Sequence, residues 1–234
     1  MKVGAVTLAY NDEGTIAGTI KCLKPFVDKH VVLISEVPYF GEPALPDKTE
    51  EICRALGVEI VKGEWPLDHM QRNVGNIMSG CCDWILGFDS DEMITQEDGE
   101  KLMDFLKNAE AEAYGFHPIV YWHNTDYVLS PKPDYNPIMA MRPDVRFTYI
   151  RNIDRVFVRC PITIHHLSWC APKDIYKKVM HYAHATDFDG AKWYKEKYVS
   201  WCEGKVAHLP TGEFETVKAP LPKKLKEYLN VSHT

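Results

Sequence analysis

Trp84-Ile85-Leu86-Gly87-Phe88-Asp89-Ser90-Asp91-Glu92 is the stretch that decides how this chain folds. Trp84 to Phe88 is a short, continuous apolar run, the pattern of a strand buried on both faces of a parallel sheet. It ends abruptly in acids: Asp89, Asp91 and Glu92. In an open α/β sheet, ligands bind beyond the carboxyl ends of the strands. Two carboxylates at i and i+2, on a turn leaving such a strand, suit one hard divalent cation. Mg2+ or Mn2+ takes oxygen ligands and commonly shares them with substrate phosphates. The plain alternative is a solvated acidic turn capping the helix that follows.

Working outward from this strand, the first half alternates strand and helix. Strands are expected at 2–9, 30–34 and 58–61, with helices at 15–23, 47–56, 67–78 and 97–108. Asp47 is the expected N-cap of the second helix and Gly57 its terminator. Such alternation argues for a mainly parallel sheet covered on both faces. Beyond Ala113 the texture changes. Tyr114 to Trp122 reads as a strand, Pro131 to Pro143 as proline-rich and irregular. Arg146–Ile150, Arg155–Val158 and Ile162–His166 read as short strands. Helices are expected over Pro172–His184, Gly190–Cys202 and Ala219–Asn230. The expected organisation is one α/β domain over 1–234, with a ligand-binding half (1–112) and a half that completes a cleft (113–234).

Composition supports an ordinary globular chain. Of 234 residues, 45% are apolar and 26% charged, which excludes disorder, collagen and coiled coil. A net charge of −6, with no Lys/Arg run longer than two, lacks the basic footprint of a nucleic-acid binder. No stretch of about 18 apolar residues is present to span a membrane. The chain opens directly on a strand pattern rather than a charged region and apolar leader. The seven cysteines, an odd number without zinc-type Cys-x-x-Cys spacing, suggest a reducing, cytoplasmic setting. Contact with a membrane is expected to be at most peripheral, the Pro222–Lys226 segment being more simply a solvated helix face.

Two further segments belong with the acids. The exit of the first strand, Val6-Thr7-Leu8-Ala9-Tyr10-Asn11-Asp12-Glu13-Gly14, is expected to bring backbone amides and the Tyr10–Asp12 edge to the same carboxyl face, with Leu8 and Glu13 beside it. Gln71-Arg72-Asn73 lies on the helix before the acid strand. Arg72 offers a bidentate grip on a phosphate, and Asn73 a hydrogen bond to the acid loop. A surface salt bridge is the bland role for Arg72.

Strand, Tyr-Asn-Asp-Glu, helix, strand, Asp-Lys-Thr-x-Glu-Ile helix, Gln-Arg-Asn and then Trp-Ile-Leu-x-x-Asp-x-Asp-Glu together resemble the family 2 type of GT-A glycosyltransferases. The resemblance covers about residues 3 to 106. It implies a GT-A α/β fold and transfer of a sugar from a nucleotide-diphosphate donor with Mn2+ or Mg2+. Asp89 and Asp91 match the family's metal- and diphosphate-binding acids. Asn11, Glu13, Arg72 and, beside them, Leu8, Tyr10, Asn73 and Ser90 fall at donor-pocket positions. The family's short acidic loop after the second strand is replaced by Ser35–Gly41, where Glu36 is the acid.

Ile164-His165-His166-Leu167-Ser168-Trp169 is similar to the His-Leu-Ser-Trp/Tyr segment of some related sugar transferases, including the bisecting N-acetylglucosaminyltransferase type. It implies His166 as a third metal ligand, with His165 second in line. Ordinary polar histidines at a strand end, or a zinc site with Cys160 and Cys170, are the rivals. The aromatic stretch 114–122, with His123, Asn124, Asp126 and Tyr127, offers either an acceptor wall or core. The expected reaction is inverting transfer to a hydroxyl of a glycan, a lipid or another acceptor, with Glu92 or Asp126 as base. A nucleotide- or sugar-binding module without activity is the non-enzyme alternative. A nucleotidyltransferase forming NDP-sugars would need a Gly-rich, Lys/Arg-bearing loop after the first strand, and Tyr10–Gly14 has neither.

Overall fold

In the computed structural model, which describes residues 1–170, 172–182, 185–210 and 212–229, the acid strand lies inside one large sheet. β1 (Val3–Ala9), β2 (Lys29–Ser35), β3 (Glu59–Gly63) and β4 (Trp84–Asp89) run parallel in the order β3-β2-β1-β4. β1 is buried along its whole length and β4 nearly so, which is why neither alternates apolar with polar residues. Order reverses at β1, so the crevice between the carboxyl ends of β1 and β4 is the switch point where ligands bind in such sheets.

The helices pack on this sheet as their apolar spacing dictates. α1 (Ile16–Leu23) buries Ile16, Ile20 and Leu23. α2 (Thr49–Leu56) starts two residues later than expected, with Lys48 rather than Asp47 at the N-cap position; Asp47, one residue earlier, accepts from the Thr49 N–H through Oδ1 at 2.8 Å. Gly57 ends it in the left-handed conformation, φ 74°, as its lack of a Cβ allows. α3 (Asp68–Met78) lies close against the sheet at Gly75, where any Cβ would meet Val6 and Leu33. α4 (Gln96–Lys107) follows the two-residue β5 (Glu92–Met93) and is capped by Thr95.

The second half joins the same sheet in ways its sequence conceals. β6 (Ala113–Trp122) and β7 (Tyr127–Ser130) form a hairpin-like pair. The proline-rich segment is not wholly irregular: it contains β8 (Ile138–Met141), a fully buried strand inserted antiparallel between β4 and β6. β9 (Phe147–Tyr149) and β10 (Asn152–Ile153) make a small separate hairpin, and residues 155–157 are not strand. Instead of a five-residue piece, 162–166 sits in the twelve-residue β11 (Val158–Trp169), which runs parallel to β6 and antiparallel to β5.

α5 (Pro172–His181) is helical as expected, though His184 lies outside the described residues. The expected 190–202 helix is shorter, α6 (Gly190–Trp193) continuing into a π-helical turn, Tyr194–Tyr198. β12 (Ala207–Leu209) and β13 (Gly212–Lys218) extend the sheet past β7, and α7 (Lys223–Leu229) covers α1. Phe116, Val120, Tyr121 and Trp122 are buried, so most of the aromatic stretch is core rather than an acceptor wall. No helix among the described residues is long and apolar enough to cross a membrane.

Candidate active site at the acid turn

Strand register assembles the site. Leu8 pairs with Asp89 and Ala9 with Ile34, so the exits of β1, β2 and β4 are level. Leu8 itself is buried in the core at this exit. The chain leaves β1 through Tyr10 and Asn11, which has φ 56°. Asn tolerates this left-handed conformation better than most residues. Its side chain is fixed from both ends, Oδ1 accepting from the Asp47 N–H at 3.0 Å and Nδ2 donating to the Leu45 carbonyl at 3.3 Å. Glu13 accepts from the Lys48 N–H, and the Tyr10 hydroxyl accepts from the Ala44 N–H, both at the loop entering α2. Asn11, Glu13 and Tyr10 thus shape the β2–α2 loop, expected on the donor side, rather than pointing at the acids. Glu36 stands at the end of β2, half-exposed, paired with Lys62 at 3.3 Å.

Asp12 connects this loop to the acid turn. One of its oxygens accepts from the Tyr10 N–H at 2.8 Å and from the Ser90 hydroxyl at 2.6 Å. Burial raises its pKa to about 6 against the lowering effect of the Ser90 bond. From below, the Thr19 hydroxyl of α1 lies 2.8 Å from the carbonyls of both Ser90 and Glu92. The turn is therefore held on two sides.

The two acids of the Asp-x-Asp take different partners. Asp89 is gripped by two guanidiniums, Arg72 Nη2 on Oδ1 and Arg151 Nη2 on Oδ2, each at 2.8 Å. Burial pushes its pKa up, but Arg151 and Arg72 outweigh that and hold it at about 2. Arg72 is not a surface cation: it is 4% exposed and also bidentate to Asp68 through Nε and Nη2 at 2.7 and 2.9 Å. Arg151 bonds Glu92 as well, at 2.6 Å, and the same Glu92 oxygen accepts from the Asp89 N–H at 2.7 Å. Glu92, 1% exposed, is thus anchored beneath the turn through this one oxygen, Oε2. Asn73 does not reach the acid loop. Its amide bonds the Phe147 N–H and carbonyl, both at 2.8 Å, and so fixes the hairpin that carries Arg151.

Asp91 faces the other way. β11 lies alongside the turn, with the Leu167 N–H on the Asp91 carbonyl at 2.8 Å. Successive side chains on a strand point to opposite faces. His166 therefore turns to Asp91, its Nε2 3.4 Å from Oδ1, while His165 turns inward to the Tyr121 hydroxyl at 2.9 Å. The His166 Nδ1 is 3.2 Å from the Tyr135 hydroxyl, which orients the ring. Lys178 of α5 reaches Asp91 Oδ2 at 2.7 Å and Ser168 Oγ at 2.8 Å. Against the raising effect of burial, Lys178 and then His166 hold the Asp91 carboxyl far below the ordinary range. Burial works to lower His166, and Asp91 more than offsets it, raising its pKa. Asp126 belongs elsewhere: it pairs with Lys226 of α7 at 3.4 Å, and its carbonyl holds the Ala219 N–H.

The donor set can be tested against the expected cation. No cluster of three or more His, Cys, Asp and Glu suited to a metal occurs among the described residues, so neither the His165–His166–Cys160–Cys170 zinc site nor the expected three-ligand set of Asp89, Asp91 and His166 is assembled. A two-ligand site suits Mg2+ or Mn2+, which keeps waters and substrate phosphates as its other ligands. Adjacent octahedral ligands at about 2.1 Å from the ion stand roughly 3 Å apart. The Asp91–His166 separation of 3.4 Å is close to that, and His166 has its second nitrogen supported as metal-bound histidines do. The pair fits; Asp89, with an arginine on each oxygen, stands behind it.

Arg151, Lys178 and Tyr135 escaped the sequence reading. Their only local signals are a lone arginine in a hairpin, one of two adjacent lysines and a tyrosine among prolines.

No family model matches the chain, and no curated protein matches it. Solved structures do. Glucosyl-3-phosphoglycerate synthase from Mycobacterium tuberculosis, in complex with Mn2+, UDP and phosphoglyceric acid, aligns with 94% of this chain and 87% of its own at 14% identity, TM-score 0.54. S. aureus TarS 1–349 in complex with UDP aligns with 76% of this chain at 15% identity, TM-score 0.50. The chain spans 63% of that TarS fragment, and 43% of the synthase chain solved with Mg2+ and UDP. At such identities the likeness establishes the fold: an α/β, mostly parallel sheet of the GT-A glycosyltransferase type.

Proposed function

We propose that this chain is a metal-dependent glycosyltransferase of the family 2 type, moving a sugar from a nucleotide-diphosphate donor to a hydroxyl of a glycan, lipid or other acceptor. The observation that carries the reading is the Asp91–His166 pair, held at the β1/β4 switch point and backed by the Arg72–Asp89–Arg151–Glu92 network. Asp91 and His166 would hold Mn2+ or Mg2+, which supplies positive charge for the diphosphate as the glycosidic bond breaks. Asp89, Arg72, Arg151 and Glu92 keep the turn in one shape, so that little reorganisation accompanies reaction. Leu8 floors the donor pocket, while Tyr10, Asn11, Glu13, Glu36, Asn73 and Ser90 fix its walls. Glu92, whose Oε2 is bonded to Arg151 and the Asp89 N–H, and the half-exposed Asp126, 3.4 Å from Lys226, are the carboxylates proposed as base. Inversion is the expected course and is read from the anomeric proton of the product. The net charge of −6 speaks against a nucleic-acid partner. The reading includes a cytoplasmic site of action with at most peripheral membrane contact.

The test is a donor screen across UDP-, GDP-, ADP- and dTDP-sugars, reading released nucleoside diphosphate, with calorimetry of UDP and GDP in Mn2+. Asp91→Asn and His166→Ala should each lower Mn2+-dependent nucleotide affinity by about tenfold or more. His165→Ala should leave the metal dependence intact. Unaltered transfer by folded Asp91→Asn protein overturns the mechanism, and nucleotide binding without turnover of any donor favours the binding module.

A further inference from the structure

We propose that Lys178 is a donor-binding residue that exchanges Asp91 for the donor's diphosphate, which makes cation and nucleotide binding cooperative. The inference rests on the donor-site reading above. Its starting point is that Asp91 already has an ammonium on it. Lys178 lies 2.7 Å from Oδ2, while Oδ1 is the oxygen that faces His166. Its other fixed partner is a neutral hydroxyl, Ser168 Oγ, so one N–H direction is uncommitted and the side chain is 28% exposed.

The helix that carries Lys178 spans the mouth of the crevice. At its last turn His181 bonds the Phe40 backbone twice, Nδ1 at 2.9 Å from the carbonyl and the His181 carbonyl accepting from the Phe40 N–H at 3.3 Å. Phe40 belongs to the loop after β2. Midway, Lys177 lies 5.9 Å from the centre of the Tyr10 ring at the end of β1. Ile175 and Val179 are buried in the aromatic cluster around Trp122, Trp169 and Tyr198, which anchors the other face. α5 thus bridges the acid turn and the donor-side loop.

Charge decides what Lys178 does next. With a dication on Asp91 and His166, the ammonium faces a neutralised carboxylate and a nearby positive charge. It is then drawn to whatever anion enters beside the cation. The diphosphate is that anion, and α5 already overhangs its place. Lys178 alone therefore opposes the cation, and favours the cation and nucleotide together. The coupling between the two ligands is reciprocal, while removing the Lys178 charge should move the two binding steps in opposite directions.

The experiment uses Lys178→Met, which keeps the stem length and removes the charge, with Lys178→Arg as the charge-retaining control. Free Mn2+ is followed by electron paramagnetic resonance, and UDP and GDP binding at saturating Mn2+ by calorimetry. Lys178→Met should bind Mn2+ alone about fivefold more tightly, and nucleoside diphosphate in Mn2+ about tenfold more weakly, with Lys178→Arg between wild type and Met in both. Weakening of both ligands together marks a structural role and overturns the proposal, as does no change in either while wild type binds nucleotide. Failure of wild type to bind UDP or GDP in Mn2+ overturns the donor-site reading, and this inference with it.

Discussion

Replacing Glu92 by Gln separates the two roles open to this carboxylate, base or anchor. The change preserves volume and one acceptor oxygen for the Asp89 N–H, but removes the charge that faces Arg151 at 2.6 Å. Glu92 is 1% exposed and Arg151 is 14% exposed, so solvent cannot compensate. Breaking one side of a buried ion pair costs about 3–5 kcal/mol. Arg151 keeps Asp89 at 2.8 Å, which reduces the loss, so roughly 2–3 kcal/mol is expected. With a urea m-value of about 2–3 kcal/mol/M for a chain of this size, the midpoint should fall by about 1 M. Arg151→Met should cost a similar amount. The double variant should be less damaged than the sum, with a coupling of about 1–3 kcal/mol, because each single change strands the other's charge. Urea unfolding followed by tryptophan fluorescence, on the four proteins of the cycle, makes the measurement. An unchanged midpoint in Glu92→Gln together with abolished transfer would refute the anchor and restore the base.

Burial of His30 predicts an acid-sensitive fold. Its ring lies against Thr7 Oγ1 at 2.9 Å, with Nδ1 unpartnered, and burial lowers its pKa to about 4. Above the unfolded value of about 6.5 both states are neutral; as pH falls from there toward 4 only the unfolded chain gains the proton, so stability is lost. The loss approaches about 3 kcal/mol, and His30→Gln should flatten that part of the curve in urea titrations between pH 7 and 4.5. Gly75→Ala should destabilise by about 1–3 kcal/mol, because its Cβ meets Val6 and Leu33 in the tightly packed α3–sheet contact; thermal unfolding indistinguishable from wild type would show that α3 yields freely.

The sequence alone determined the framework of the first half. Apolar runs at β1, β2 and β4, the helical spacing of Ile16, Ile20 and Leu23, and the Gly57 terminator are local signals. They are set by neighbours along the chain, and so they survive without knowledge of the fold. The same is true of the position of Asp89-Ser90-Asp91-Glu92 at a strand exit, and of the alternation that sends His165 and His166 to opposite faces of β11. Tertiary structure decided the partners. β8 lies hidden among prolines because its pairing with β4 and β6 is long-range, and a four-residue apolar stretch carries no period of its own. Arg72, Arg151 and Lys178 look in sequence like any surface cations. They become parts of the site because α3, the β9–β10 hairpin and α5 meet over the acid turn, 17, 62 and 87 residues from the acids they bind, counted from the ion pairs. Periodicity records which face of an element is apolar; it holds no record of which distant charge will be buried against which, since that depends on how the elements close in space.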